Sequence, residues 1–204
     1  MNDQVFQIRT KSATPYTTQQ KMWKILFVLV LGALLGFLAK YTDGTMIGLI
    51  GTNLGFWIFA TTIVAAWSRT PVAAALHAFV FLAAMLIVYY VYSMLLFGFF
   101  PRYYFYAWGS IALLSPIGGY LVWFARGTGW AAAICAALPI SFLLVEGYSF
   151  VYTFSFPQGF ALLAAVILYL CLPANGSQRL RMLPIVLTLS VVLERIGILT
   201  YLPG

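Results

Sequence analysis

The chain has 204 residues, of which 63% are apolar and 7% charged, and its mean hydropathy is +0.97. A water-soluble domain carries about a quarter of its residues as charges, so a soluble enzyme, a nucleic-acid-binding module and a disordered chain are excluded. The net charge of +7 does not argue for a nucleic-acid partner, because the cations sit singly at the ends of apolar runs, which is how membrane topology is set.

Residues 1–21 are predicted to form a cytoplasmic N-terminal segment, and residues 22–204 a single transmembrane helical domain. The densest basic stretch, Arg9, Lys11, Lys21 and Lys24, is a weak version of an anionic-headgroup contact. A membrane span needs about 20 apolar residues, and seven apolar runs follow. Run one covers about Met22 to Ala39, and its length fits a first span better than a signal-peptide core. Run two covers about Met46 to Trp67, run three Pro71 to Phe97, and run four Tyr103 to Phe124. Run five begins near Gly129 and reaches as far as Phe154. Run six, about Phe160 to Leu172, is the shortest and the best candidate for a re-entrant segment. Run seven covers about Met182 to Leu202.

Orientation follows from the cations. If all seven runs span with the N-terminus inside, the inner segments hold Arg9, Lys11, Lys21, Lys24, Arg69, Arg126, Arg179 and Arg181. The outer ones hold only Lys40 and Arg102. That asymmetry predicts seven spans in the cytoplasmic membrane, N-terminus in and C-terminus out. Tyr89, Tyr90, Tyr92, Tyr103, Tyr104 and Tyr106 flank the loop after run three, and Tyr148 and Tyr152 follow run five. They read as an interfacial belt, with an aromatic substrate cage as the sharper alternative. Arg-bearing turns at Arg69, Arg126 and Arg181 recur at separations of 57 and 55 residues (126 − 69 and 181 − 126). This spacing fits three helical hairpins added to run one.

Ionisable groups inside a bilayer are costly and are functional candidates by default. His77, Glu146, Glu194 and Arg195 lie within the runs. Neighbouring helix positions point about 100° apart, so Glu194 and Arg195 need separate partners. Similar depth suggests a Glu146–Arg195 pair. His77, the only histidine, is the proton-coupling candidate. Asn53 lies in Gly51-Thr-Asn-Leu-Gly55, and Gly32 and Gly36 repeat the same small-residue spacing, which lets helices approach closely. Ser115-Pro116-Ile-Gly-Gly119 and Pro139 interrupt runs four and five, and interrupted helices are the best sequence pointer to a transporter site. Cys135 and Cys171 lie inside apolar runs and read as small apolar side chains. No nucleotide-binding loop, HExxH or GxSxG occurs in the sequence, so neither an enzyme nor a metal or cofactor is predicted.

Asn53, Trp57, the Arg69 turn, the Ala-rich third run ending in Tyr89-Tyr90, and the Leu172-Pro173 step before Arg179 and Arg181 resemble a group of small bacterial multi-pass membrane proteins of unknown function. The resemblance implies packed transmembrane helices and brings no activity. In size the chain is also similar to the substrate-binding membrane subunits of energy-coupling vitamin transporters, which usually have six spans. The expected function is binding or transport of a small polar solute, with Asn53, Glu146, Glu194 and Arg195 lining the site between runs two, five and seven. The alternative is a non-catalytic membrane subunit that packs on a partner protein or on a second copy. A weaker third reading is a lipid-handling protein using Arg102 and the tyrosines around it.

Overall fold

A computed structural model describes Arg9 and residues 16–197. Lys11, Asp3 and the end of run seven beyond Gly197 lie outside the described residues. Among the described residues every regular element is helical. The elements are α1 (Thr18–Tyr41), α2 (Met46–Gly51), α3 (Leu54–Ala66), α4 (Pro71–Phe97), α5 (Arg102–Phe124), α6 (Gly129–Gly147), α7 (Phe150–Thr153), α8 (Phe156–Cys171) and α9 (Gly176–Ile196). In lipid the backbone must satisfy its own hydrogen bonds, which leaves the helix as the natural element for such a chain.

Four stretches are long and apolar enough to cross a membrane: Thr18–Tyr41, Pro71–Phe97, Arg102–Phe124 and Gly129–Thr153. The other three runs differ from the simple seven-span expectation. Run two is broken into α2 and α3. Run six is α8, with 16 residues. Run seven begins earlier than expected, so Arg179 and Arg181 stand in the first turns of α9, not in a loop. With Glu194 and Arg195 at its other end, α9 is the most polar of the long helices.

Local sequence explains the helix starts. Thr17 and Gln20 form a capping box on α1, which satisfies two orphan amides at once. Thr70 accepts from the Ala73 amide, and Pro71 takes the first helical position of α4, where its missing N–H costs nothing. Asn175 accepts from the Gln178 amide at the start of α9. Gly98 ends α4 with φ 73°, a left-handed conformation that glycine adopts without penalty.

The helices form two groups joined by α3. α1 and α5 pack on α4, while α8 and α9 pack on α6, and α3 touches α4, α5, α6 and α8. The buried apolar residues form two cores, the second of which also takes in Ala74 of α4 and Val122 and Trp123 of α5. Val28, Trp57, Phe81, Leu82, Met85 and Ala112 fill the first. The second is rich in alanine, with Ala133, Ala136, Ala137, Ala161, Ala164 and Ala165 around Ile140, Leu143 and Leu168. Lipid supplies no hydrophobic drive between helices, so association relies on close backbone approach and polar ties. The small residues serve that purpose. A Cβ on Gly32 would run into the Phe81 carbonyl, and one on Gly36 into the Met85 carbonyl. Ser141 donates to the Val186 carbonyl (3.2 Å) and so ties α6 to α9. Pro116 leaves the Ala112 carbonyl without its helical partner, and the Ser115 hydroxyl donates to that oxygen at 2.7 Å. The helix is therefore repaired at its proline.

Candidate functional site

The Arg-bearing turns gather at one end of the molecule. Gln178 at the start of α9 exchanges two hydrogen bonds with Gly129 at the start of α6. Arg126 lies over the Trp67 ring at 4.5 Å. Arg9 donates to the Ala66 carbonyl at 3.0 Å and to the Trp123 carbonyl, and stacks on Trp123 at 4.4 Å. It thus bridges the ends of α3 and α5. Burial, and after it the Arg126 guanidinium, hold Arg9 below its ordinary pKa, while the ring and the two carbonyls compensate. Trp123 Nε1 donates to the Ser68 carbonyl at 2.9 Å. The Ser68 hydroxyl donates to the Val64 carbonyl and lies 2.8 Å from His77 Nδ1. The Ser68 hydroxyl thus sits between a carbonyl and the imidazole. His77 is therefore tied to a neighbouring turn. This end of the molecule is the basic end.

The opposite end holds all three described carboxylates: Asp43 just after α1, Glu146 in the last turn of α6, and Glu194 near the end of α9. Here the predicted site residues separate. Asn53 is not inside a helix. It is the extended N-cap of α3, directly after Thr52, the C-cap of α2. Its Oδ1 accepts from the Gly55 amide at 2.8 Å, and its Nδ2 donates to Glu146 Oε1 at 3.0 Å. The expected Glu146–Arg195 pair is not formed, because Arg195 is exposed on α9 while Glu146 is half-buried beside the helix break. Glu194 is exposed as well, on the side of Tyr148. Among the described residues the one salt bridge joins Lys40 to Asp43, at 2.7 Å.

That salt bridge marks a cavity that the sequence alone does not reveal. It has a volume of about 290 Å³. Lys40 and Asp43 line it with Thr52, Ser93, Tyr89, Tyr90 and Tyr104, and Trp57 and Trp108 form its floor. The Lys40 ammonium lies 5.3 Å from the Tyr89 ring and 4.9 Å from the Phe97 ring. The same two tryptophans also line an apolar cleft of about 350 Å³ between α3, α5 and α6. Trp57 and Trp108 thus separate a polar chamber from an apolar one. Two signals in the sequence point to the chamber: an i, i+3 Lys–Asp pair at a helix end, and the adjacent Tyr89-Tyr90. In sequence alone they look like loop charge and interfacial belt.

Among the described residues no cluster of histidine, cysteine or carboxylate is arranged to hold a metal ion, and Cys135 and Cys171 are free thiols. No curated protein and no solved structure matches the chain. The profile of one protein family matches residues 15–203, the seven runs included. The chain belongs to that family, DUF6518, a family of unknown function.

Proposed function

We propose that the protein binds a small zwitterionic or polar solute in the Lys40–Asp43 chamber and carries it across the membrane, without a chemical step. The observation that carries this reading is the chamber at a helix break: Gly51 and Thr52 line it at the point where α2 gives way to α3. Discontinuous helices leave backbone groups unpaired near a binding site. Lys40 offers a cation and Asp43 a carboxylate, while Thr52 and Ser93 offer hydroxyls. Aromatic faces suit the ammonium of a zwitterion, and a few convergent polar groups on aromatic walls are what a small-molecule site needs.

In this reading the chain crosses the membrane seven times, with the broken α2–α3 pair counted once. The basic end faces the cytoplasm. The solute enters between the two helix groups and passes the Trp57–Trp108 floor. His77, the one imidazole, is the group that would couple a proton. The glycine faces that a partner subunit would use are occupied within the chain, at Gly32 and Gly36 against α4 and at Gly119 against Ala74 and Ala78. This favours the solute reading over the subunit reading.

The test is a thermal-shift screen of the purified protein against zwitterionic, cationic and neutral solutes, followed by flux in proteoliposomes for each hit. A zwitterion that stabilises the wild type but not Asp43→Asn supports the proposal. Absence of both stabilisation and flux across all three classes rejects it.

A further inference from the structure

A third cavity lies at the basic end, between α1, α3 and α4, and it is larger than the other two, at about 640 Å³. Its lining has two parts. At the mouth stand Lys21, Lys24 and Arg69, with no carboxylate among the described lining residues. The Arg69 guanidinium rests on the Tyr16 ring at 4.2 Å, which holds it in place. Deeper in, the wall is apolar, from Phe27 and Leu31 on α1 to Ile63 and Val64 on α3 and Leu76 on α4. Phe27 is 64% exposed and Leu76 43% exposed, so the wall is open to the side.

Charge is also polarised along the molecule. Arg9 and Arg126 stand near the groove, and every described carboxylate lies toward the other end. The first turn of α4 faces the same groove through Thr70, Val72 and Ala73, and a helix N-terminus adds positive potential. Trp23, Trp67 and Trp130, all exposed at this end, suit the headgroup level of a bilayer.

We propose that this groove binds one anionic phospholipid, its phosphate held by Lys21 and Lys24 and an acyl chain laid along Phe27, Leu31 and Leu76. The pairing of a cationic mouth with an open apolar wall carries the assignment. A free phosphate would use only the mouth, and a neutral lipid only the wall. The site is separate from the Lys40–Asp43 chamber and does not depend on it.

Native mass spectrometry of the full chain in mild detergent tests this, with phosphatidylglycerol, phosphatidylcholine of the same acyl chains, and glycerol phosphate as probes. Phosphatidylglycerol is expected to be retained in preference to the other two. The double variant Lys21→Gln/Lys24→Gln is expected to weaken it roughly thirtyfold, the change that loss of two juxtamembrane cations carries. Leu76→Trp, which fills the apolar wall at an exposed position, is expected to weaken it while all the cations remain. The charge-matched control Arg102→Gln/Arg181→Gln removes two exposed cations outside the groove and is expected to leave retention unchanged. Equal retention of the two lipids, or equal loss in the control, overturns the proposal. So does glycerol phosphate binding as well as phosphatidylglycerol.

Discussion

Asn53 Nδ2 donates to Glu146 Oε1 at 3.0 Å, across 93 residues of chain, and this bond joins the broken helix to the end of α6. Asn53 also caps α3 through its Oδ1, so one side chain both starts a helix and holds a carboxylate. The two roles separate by mutation. Asn53→Asp keeps the capping oxygen but sets a second carboxylate against Glu146, and like charges at that distance repel. Asn53→Asp is expected to lower thermal stability in detergent by about 1–3 kcal/mol. Adding Glu146→Gln should recover most of the loss, because the new amide can donate to the new carboxylate and only one charge remains. Additive losses in this double-mutant cycle would show that the two side chains do not interact.

The contact between α1 and α4 rests on Gly32 and Gly36, whose added Cβ atoms would meet the Phe81 and Met85 carbonyls. Backbone cannot move aside cheaply, so Gly32→Ala and Gly36→Ala are each expected to cost about 1–3 kcal/mol. Gly118 lies in a helix with nothing within 4 Å of its would-be Cβ. Gly118→Ala is expected to be neutral or slightly stabilising. Thermal unfolding of the three variants checks this, and equal behaviour of Gly36→Ala and Gly118→Ala would refute the close-packing role.

Hydropathy locates the helices well because burial in lipid demands long apolar runs, and run three, Pro71 to Phe97, coincides with α4. It is blind to the break at Thr52 and Asn53, since two polar residues barely change the average of a long window. The legible signal there is the asparagine itself, a good N-cap, sitting two residues before a glycine. The failure of the Glu146–Arg195 pair has another cause. Depth along a helix follows from residue number, but angular position depends on how each helix is rotated. Glu146 lies between the buried Val145 and Gly147, while Arg195 sits among exposed positions of α9. Lys40 and Asp43 look like loop charges in the sequence because only the fold brings them against Tyr89, Ser93 and Trp108.

Lys40 lets stability be distinguished from ligand binding. Its side chain is only 10% exposed, while that of Asp43 is 41% exposed, so its stem packs against the aromatic rings beside it. Such a partly solvated pair contributes about 0–1 kcal/mol. Lys40→Met keeps the stem and removes the charge. It is expected to unfold within a few degrees of wild type yet to lose solute-dependent stabilisation. A Lys40→Met protein that still responds fully to the solute would take the ammonium out of the site.

Arg9 makes no ion pair among the described residues. Two carbonyls and the Trp123 ring hold it, and Arg126 opposes its charge. Lysine cannot reproduce the flat, forked contact, so Arg9→Lys is expected to cost about 1–3 kcal/mol. The sign of the salt effect follows from the same geometry. Added salt screens the repulsion between Arg9 and Arg126 and leaves the bonds to the carbonyls largely intact. Wild-type stability is therefore expected to rise with salt, and the rise to shrink in Arg9→Ala. A salt response of the same size in Arg9→Ala as in the wild type would show that the Arg9–Arg126 repulsion is not what salt screens.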